Sequence, residues 1–245
     1  MNILITGSNG FLGKSLKKYL GKSSKYKIYN FNRNHTFSDL KKYICDIDFI
    51  FHFAGAPDPK SGKSELIKGN EKLTKKIIQI IEGKKLKIPI VFTSTLHAKY
   101  SKNDYGISKR NAEIALENYS EKNFAKIFIY RLPHIFGNGA KPNHNSVITT
   151  WLYNASRNIE IIVFDRKIKM EYVYSNDIID QFVDHLKDMK FEDRKFYKPN
   201  IVYKTTLGEI FDSIMSFKEN TYDKSFTDLF KKKLYHTFKY YINYE

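Results

Sequence analysis

Cysteine is almost absent: Cys45 stands alone in 245 residues, so no internal disulfide can form. There is also no CxxC pair and no His/Cys cluster at ligand spacing, so no structural metal is expected. Both absences fit a reducing compartment, and the expected location is cytoplasmic. No stretch approaches 18 uninterrupted apolar residues, which excludes a hydrophobic membrane-spanning segment. Met1-Asn2-Ile3-Leu4-Ile5-Thr6 runs straight into a strand-like segment without the basic region and apolar stretch of a signal peptide, so none is expected. Acidic residues are scarce too, 26 Asp and Glu against 42 Lys and Arg, a net charge of +16. The lysines are spread along the whole chain among many Asn, Ile, Tyr and Phe. The surplus therefore reads as a compositional bias on solvated faces, and nucleic acid is not the expected partner. It would still draw in anionic ligands.

A chain of this length buries roughly 70–75% of its unfolded surface, enough for one large domain or two closely packed lobes. Short apolar runs at Asn2–Thr6, Lys27–Phe31, Phe49–Phe53, Pro89–Thr93 and Lys126–Tyr130 read as strands. Amphipathic stretches at Phe11–Leu20, Ser64–Glu82 and Tyr105–Tyr119 read as the helices between them, the second with Leu66, Leu73 and Ile77 at helical spacing. Such alternation predicts an α/β fold, a doubly wound parallel sheet with right-handed crossovers. Gly137-Asn138-Gly139 and Pro142 break the pattern. Beyond them, helices are expected at Ser146–Ser156, Ser175–Leu186 (with Ser175 as its cap), Thr206–Phe217 and Phe226–Tyr241, and strands at Glu160–Phe164 and Lys169–Tyr174. The reading is a dinucleotide-binding domain over residues 1–140 and a smaller C-terminal α/β substrate lobe over 141–245, covering the sheet ends where open α/β folds bind ligands. The Lys- and aromatic-rich stretch near the C-terminus reads as an amphipathic helix docked on that lobe.

Gly7, Gly10 and Gly13 fall where the first strand meets the first helix. The Thr6-Gly7-Ser8-Asn9-Gly10-Phe11-Leu12-Gly13 turn has the form Gx2Gx2G, which allows a tight turn, close approach of backbone to a pyrophosphate at a helix N-terminus, and helix–sheet contact. About 20 residues on, an NAD site would place a carboxylate against the ribose 2′-hydroxyl. Here the chain reads Phe31-Asn32-Arg33. Nothing there repels a 2′-phosphate and Arg33 can grip one, so NADP (NADPH) is the expected cofactor. His52-Phe53-Ala54-Gly55 closes the third strand with small residues that let backbone lie along the cofactor, and His52 is expected to be a packed strand residue.

Thr93-Ser94-Thr95 ends the fourth strand, ten residues before Tyr105, and Lys109 follows one helical turn later on the same face. A phenol near pKa 10 is a poor acid at neutral pH. A nearby ammonium, with an oxidised nicotinamide, is expected to lower it. The expected catalytic set is Tyr105 as proton donor, Lys109 as the cation that also holds ribose hydroxyls, and Thr95 as the hydroxyl that orients a substrate carbonyl, with Ser94 as its rival.

These motifs, together with Tyr130-Arg131-Leu132-Pro133-His134-Ile135-Phe136-Gly137, resemble the extended short-chain dehydrogenase/reductases, the NAD-dependent epimerase/dehydratase superfamily, over the whole length. Met1–Gly7, Lys141–Ile148 and Thr206–Ile210 resemble, more narrowly, the reductase domains of CapF-type capsular polysaccharide proteins. The resemblance implies a Rossmann-like fold and NADPH-dependent reduction, at C4, of a UDP-linked 4-keto-6-deoxy-N-acetylhexosamine. It implies cofactor contacts from Gly7 through Gly13 (Ser8, Asn9, Gly10, Phe11 and Leu12 included), Asn32, Arg33, Phe53, Ala54, Gly55, Thr93, Tyr105, Lys109 and Pro133. Candidate substrate contacts are Ser94, Thr95, His134, Lys141, Asn143, Asn145 and Tyr172; Asp177 is expected to belong to a helix start. It also implies a homodimer through the helices at Ser64–Glu82 and Tyr105–Tyr119. CapF-type proteins continue into a metal-binding cupin. No histidine-rich barrel region follows here, so either a separate protein is expected to epimerise the sugar or the substrate needs no epimerisation. Leu96-His97 stands where a dehydratase carries Asp-Glu, which argues against dehydration. A 4-epimerase and a non-catalytic dinucleotide sensor stay open as alternatives.

Overall fold

The structure, a computed structural model, describes residues 1–187, 190–222 and 227–244. Along the chain the elements are β1 (Asn2–Thr6), α1 (Phe11–Leu20), β2 (Lys27–Phe31), α2 (Phe37–Tyr43), β3 (Phe49–His52), α3 (Lys63–Leu66), a π-helical segment (Ile67–Lys72) and α4 (Leu73–Gly83). Then come β4 (Ile90–Thr95), α5 (His97–Tyr100), α6 (Asp104–Asn123), β5 (Ile127–Leu132), β6 (His134–Phe136) and α7 (Val147–Ser156). The chain continues with β7 (Lys169–Tyr174), α8 (Ser175–Asp184), β8 (Phe196–Tyr197), β9 (Tyr203–Thr206), α9 (Leu207–Lys218) and α10 (Leu229–Ile242). Phe226, the expected start of the last helix, lies outside the described residues.

Contacts divide the chain into two units, residues 1–132 with 179–199, and residues 133–178 with 200–244. Where the sequence suggests one cut after residue 140, Ile179–Pro199 returns to the first unit, because β8 pairs in parallel with β5.

The first unit is a six-stranded parallel sheet in the order β2-β1-β3-β4-β5-β8. Its central strands are continuous apolar runs buried on both faces, as a helix-covered parallel sheet requires. Leu4, Ile50, Ile90, Phe92 and Ile127 meet Ile77, Ile81, Ala112 and Leu116 in one core. The chain runs from β1 to β2 on one side and then to β3 on the other, so a topological switch lies between β1 and β3, where such sheets bind ligands.

The second unit has a three-stranded sheet, β6 parallel to β7 and β9 antiparallel to it. Phe136, Trp151, Tyr172, Ile214 and Phe238 form its core. A capping box of Thr206 and Glu209 starts α9, and Asp228 caps α10.

Three local expectations need correction. Ser64–Glu82 is not one regular helix, since the π-helical turn interrupts it. Glu160–Phe164 has strand-like alternation, with Ile161 and Val163 packed against the core and Ile162 and Phe164 62% and 96% exposed. The segment nevertheless pairs with no strand among the described residues. Ser175 does not cap α8; it is the first helical residue, and its buried Oγ finds no partner among the described residues.

Candidate functional site

The loops that leave β1 and β3 lie against each other at the switch. Gly7 has φ +70°, and a Cβ there would stand 2.7 Å from the Ala54 backbone nitrogen. A Cβ on Gly13 would stand 2.3 Å from the Gly7 oxygen, so helix and turn can only close this tightly with glycine at both places. Gly10 is the N-cap of α1 and no side chain caps the first turn. Its N–H groups are therefore left for an anion, the role the sequence assigns to them. This bare, glycine-lined N-terminus fits a dinucleotide pyrophosphate.

Asn32 follows β2 and holds the turn from the side. Its Nδ2 donates to Ser8 Oγ at 2.8 Å, and its Oδ1 accepts from the Asn9 N–H at 3.1 Å. Arg33 beside it is exposed and engages no other side chain among the described residues. The position expected to meet a 2′-phosphate thus presents an uncommitted guanidinium, which suits that group.

From β4 and α6 come the residues expected to carry proton transfer. Asn103 caps α6, its Oδ1 accepting from the Gly106 N–H at 2.7 Å. Tyr105 sits in the first turn, 9% exposed, hydrogen-bonded to the Thr95 hydroxyl. Lys109, one turn later, is buried; its Nζ donates to the Thr93 carbonyl at 2.7 Å and lies 4.5 Å above the Phe92 ring. That Nζ would be 3.6 Å from a Cβ on Gly55, and Gly55 adjoins Ala54, which touches Gly7. Cation and glycine turn thus belong to one crevice.

The electrostatics depart from the sequence expectation. Burial raises the Tyr105 phenol above its ordinary value, and the Thr95 hydrogen bond only partly opposes this. The protein's own groups do not produce a depressed phenol: desolvation dominates, and the Lys109 ammonium is turned to the Thr93 carbonyl. Burial also brings Lys109 down to about 8, against a smaller upward pull from Glu113.

Ser94, the rival hydroxyl, faces elsewhere. Its Oγ donates to Glu113 Oε1 at 2.5 Å. Glu113 is wholly buried, accepts from Arg131 at 2.9 and 2.6 Å and from Arg110 at 3.0 Å, and so joins α6 to β4 and β5. The sequence reading missed Glu113, although it lies four residues after Lys109 on the same helical face. It also missed Asn70, a polar residue breaking the apolar stripe between Leu66 and Leu73. Asn70 is buried; its Oδ1 accepts from the Ala56 N–H at 3.0 Å, and its Nδ2 donates to Ser108 Oγ at 3.0 Å.

The remaining candidates belong to the second unit, which Pro133 opens. His134, exposed, pairs in register with Tyr172, their rings 5.6 Å apart. Tyr172 is buried, its hydroxyl has no partner among the described residues, and burial raises its pKa. Lys141, Asn143 and Asn145 are exposed in the loop before α7, where the Asn143 N–H donates to Thr150 Oγ1 at 3.0 Å. Asp177, in the first turn of α8, accepts from the Tyr203 hydroxyl at 2.9 Å and pairs with Lys233.

Among the described residues no group of three or more His, Cys, Asp or Glu is placed to hold a metal ion, and no helix is long and apolar enough to cross a membrane.

The sequence profile described as NAD dependent epimerase/dehydratase family matches residues 3–196. UDP-2-acetamido-2,6-beta-L-arabino-hexul-4-ose reductase of Pseudomonas aeruginosa is 30% identical over 220 residues, 90% of this chain and 58% of that protein. The capsular polysaccharide assembling protein CapF from Staphylococcus aureus superposes with a TM-score of 0.86 at 34% identity, over 99% of this chain and 66% of that one. The chain therefore spans less than two thirds of either relative's length. A UDP-glucose 4-epimerase from Thermotoga maritima superposes with a TM-score of 0.85 at 16% identity over 99% of both chains, a likeness of fold alone.

Proposed function

The chain belongs to the NAD dependent epimerase/dehydratase family, and from that membership we propose that it reduces, with NADPH, the C4 ketone of a UDP-linked 4-keto-6-deoxy-N-acetylhexosamine. The observation that supports this reading best is the shared crevice: the Tyr105–Thr95 pair and the Lys109 ammonium at the end of β4, beside the Gly7–Ala54 contact. Identity to a UDP-sugar ketone reductase supports the substrate class.

When bound, the dihydronicotinamide supplies the hydride to C4. Tyr105 gives its phenolic proton to the ketone oxygen, and Thr95 holds that oxygen beside it. General acid catalysis of this kind contributes about 10²–10⁴ in rate. Lys109, held by Thr93, binds the cofactor's ribose hydroxyls, and its charge favours the Tyr105 phenolate only alongside the oxidised nicotinamide. Arg33 takes the 2′-phosphate, while the first turn of α1 takes the pyrophosphate. The sugar nucleotide is assigned to His134, Lys141, Asn143, Asn145 and Tyr172. The enzyme works in the cytoplasm as a homodimer, formed through the groove lined by Ile78 of α4 and Ile114 and Ala115 of α6.

The test is dinucleotide absorbance with a UDP-4-keto-sugar generated in situ. Stoichiometric NADPH oxidation is expected. Binding of NADPH without turnover would indicate a sensor, and C4 interconversion without net oxidation an epimerase.

A further inference from the structure

We propose that His52 is a positioning residue, a neutral imidazole fixed as the Nε2–H tautomer that locks the Ala54–Ala56 segment and Asn70 into one hydrogen-bonded frame around Lys109. It rests on reading the β1–β3 crevice as the dinucleotide cradle. His52 is wholly enclosed in the sheet, 1% exposed, between two hydroxyls: Nδ1 lies 2.7 Å from Thr6 Oγ1 and Nε2 lies 2.9 Å from Thr74 Oγ1.

The direction of every proton follows from counting. Thr74 donates its single hydroxyl proton to the Asn70 carbonyl at 2.7 Å, so towards His52 it can only accept. Nε2 must therefore hold the ring's proton. In a neutral ring Nδ1 is then an acceptor and takes the Thr6 hydroxyl proton. Thr6 Oγ1, its proton given to the ring, accepts from the Ala54 N–H at 3.1 Å. The chain runs one way, from Ala54 N–H through Thr6, His52 and Thr74 to the Asn70 carbonyl, with no member unsatisfied. Burial and the neighbouring Lys109 charge bring the imidazole down to about 3, so it stays neutral.

The two ends of this chain meet at the site. Ala54 abuts Gly7, the residue after Thr6. Asn70 holds Ala56 at both its N–H and its carbonyl, at 3.0 and 3.2 Å, and donates to Ser108, whose hydroxyl donates to the Tyr105 carbonyl at 2.8 Å. A leucine in place of His52 would leave the buried Thr6 hydroxyl proton without an acceptor and take the donor away from Thr74 Oγ1, so the chain from Ala54 to Asn70 is cut in the middle, a loss that polar networks tolerate poorly.

Nitrogen-15 NMR of the ligand-free protein tests the tautomer directly. Nε2 is expected to be protonated and Nδ1 unprotonated, with no titration between pH 8 and 5; a protonated Nδ1, or titration in that window, overturns the proposal. His52→Leu is expected to lose amide-exchange protection at Ala54 and Ala56 and to weaken NADPH roughly tenfold, the loss of about one satisfied hydrogen bond. His52→Gln, which keeps a donor and an acceptor, should recover part of both. Unchanged protection and affinity in His52→Leu overturn it. Should His52→Leu not fold, Thr74→Val removes the acceptor at Nε2 and is expected to give a mixture of tautomers; an unaltered tautomer refutes the frame. If the wild type binds no dinucleotide, the functional reading fails, while the tautomer and exchange results still decide this one.

Discussion

Lys109 Nζ donates to the Thr93 carbonyl across 2.7 Å, and this bond fixes a cation from α6 to the strand whose Thr95 binds the Tyr105 phenol. Burial brings that ammonium to about 8 from an ordinary 10.5. As a group lowered on folding, it is charged in the free enzyme below about 8 and discharges above, so kcat/KM is expected to fall on the alkaline side from about pH 8. Lys109→Arg, whose guanidinium does not titrate there, should abolish that limb in a pH–rate profile. The same shift makes stability rise with pH between about 8 and 10.5, because the unfolded chain then holds more protons. Thermal melts across that window check the sign.

Tyr105→Phe removes the proposed proton donor and little volume. Turnover should fall by about 10²–10⁴. Calorimetric NADPH affinity should stay near wild type, and an active variant would displace Tyr105 from the acid role.

Arg33→Ala removes the exposed guanidinium after β2. A charge-assisted bond to a 2′-phosphate is worth about 1.5–3 kcal/mol, roughly ten- to a hundredfold in affinity. Paired titrations should show that loss for NADPH and almost none for NADH; equal losses would take Arg33 out of the phosphate site.

Glu113→Gln leaves Arg131 and Arg110 without a buried carboxylate. Denaturant unfolding should report a loss of about 3–5 kcal/mol, the cost of removing one partner of a buried ion pair. The carboxylate also raises Lys109 electrostatically, so the alkaline limb of the variant should move to lower pH.

Ile114→Asp places a charge in the α4–α6 groove, where Ile114 is 39% exposed. If the homodimer forms there, light scattering should register monomer for the variant and dimer for the wild type.

Much of the first unit was legible because a buried parallel strand is a short, unbroken apolar run. β1, β2 and α1 have the boundaries that the sequence suggests, since the runs end at turn residues. The glycine turn was legible for a steric reason, as only glycine meets the contacts at residues 7 and 13. Elements two to four residues long, β6, β8 and β9, gave too little periodicity to detect. Glu160–Phe164 misled because alternation records which side chains are buried and says nothing of whether a neighbouring strand is present. Glu113 and Asn70 stayed hidden because a polar residue on an apolar stripe gains meaning only when its partners are in view.

The return of Ile179–Pro199 to the first unit makes β5 dependent on a piece of chain far along the sequence. There His185 stacks on Phe128 with centroids 3.8 Å apart and hydrogen-bonds the Tyr130 hydroxyl, while Phe182 meets the Tyr130 ring. A fragment ending near residue 140 would keep the glycine turn, Tyr105 and Lys109, but β5 would become a bare sheet edge flanked by uncovered aromatic rings. Such edges recruit other strands, so that fragment should aggregate instead of binding a dinucleotide.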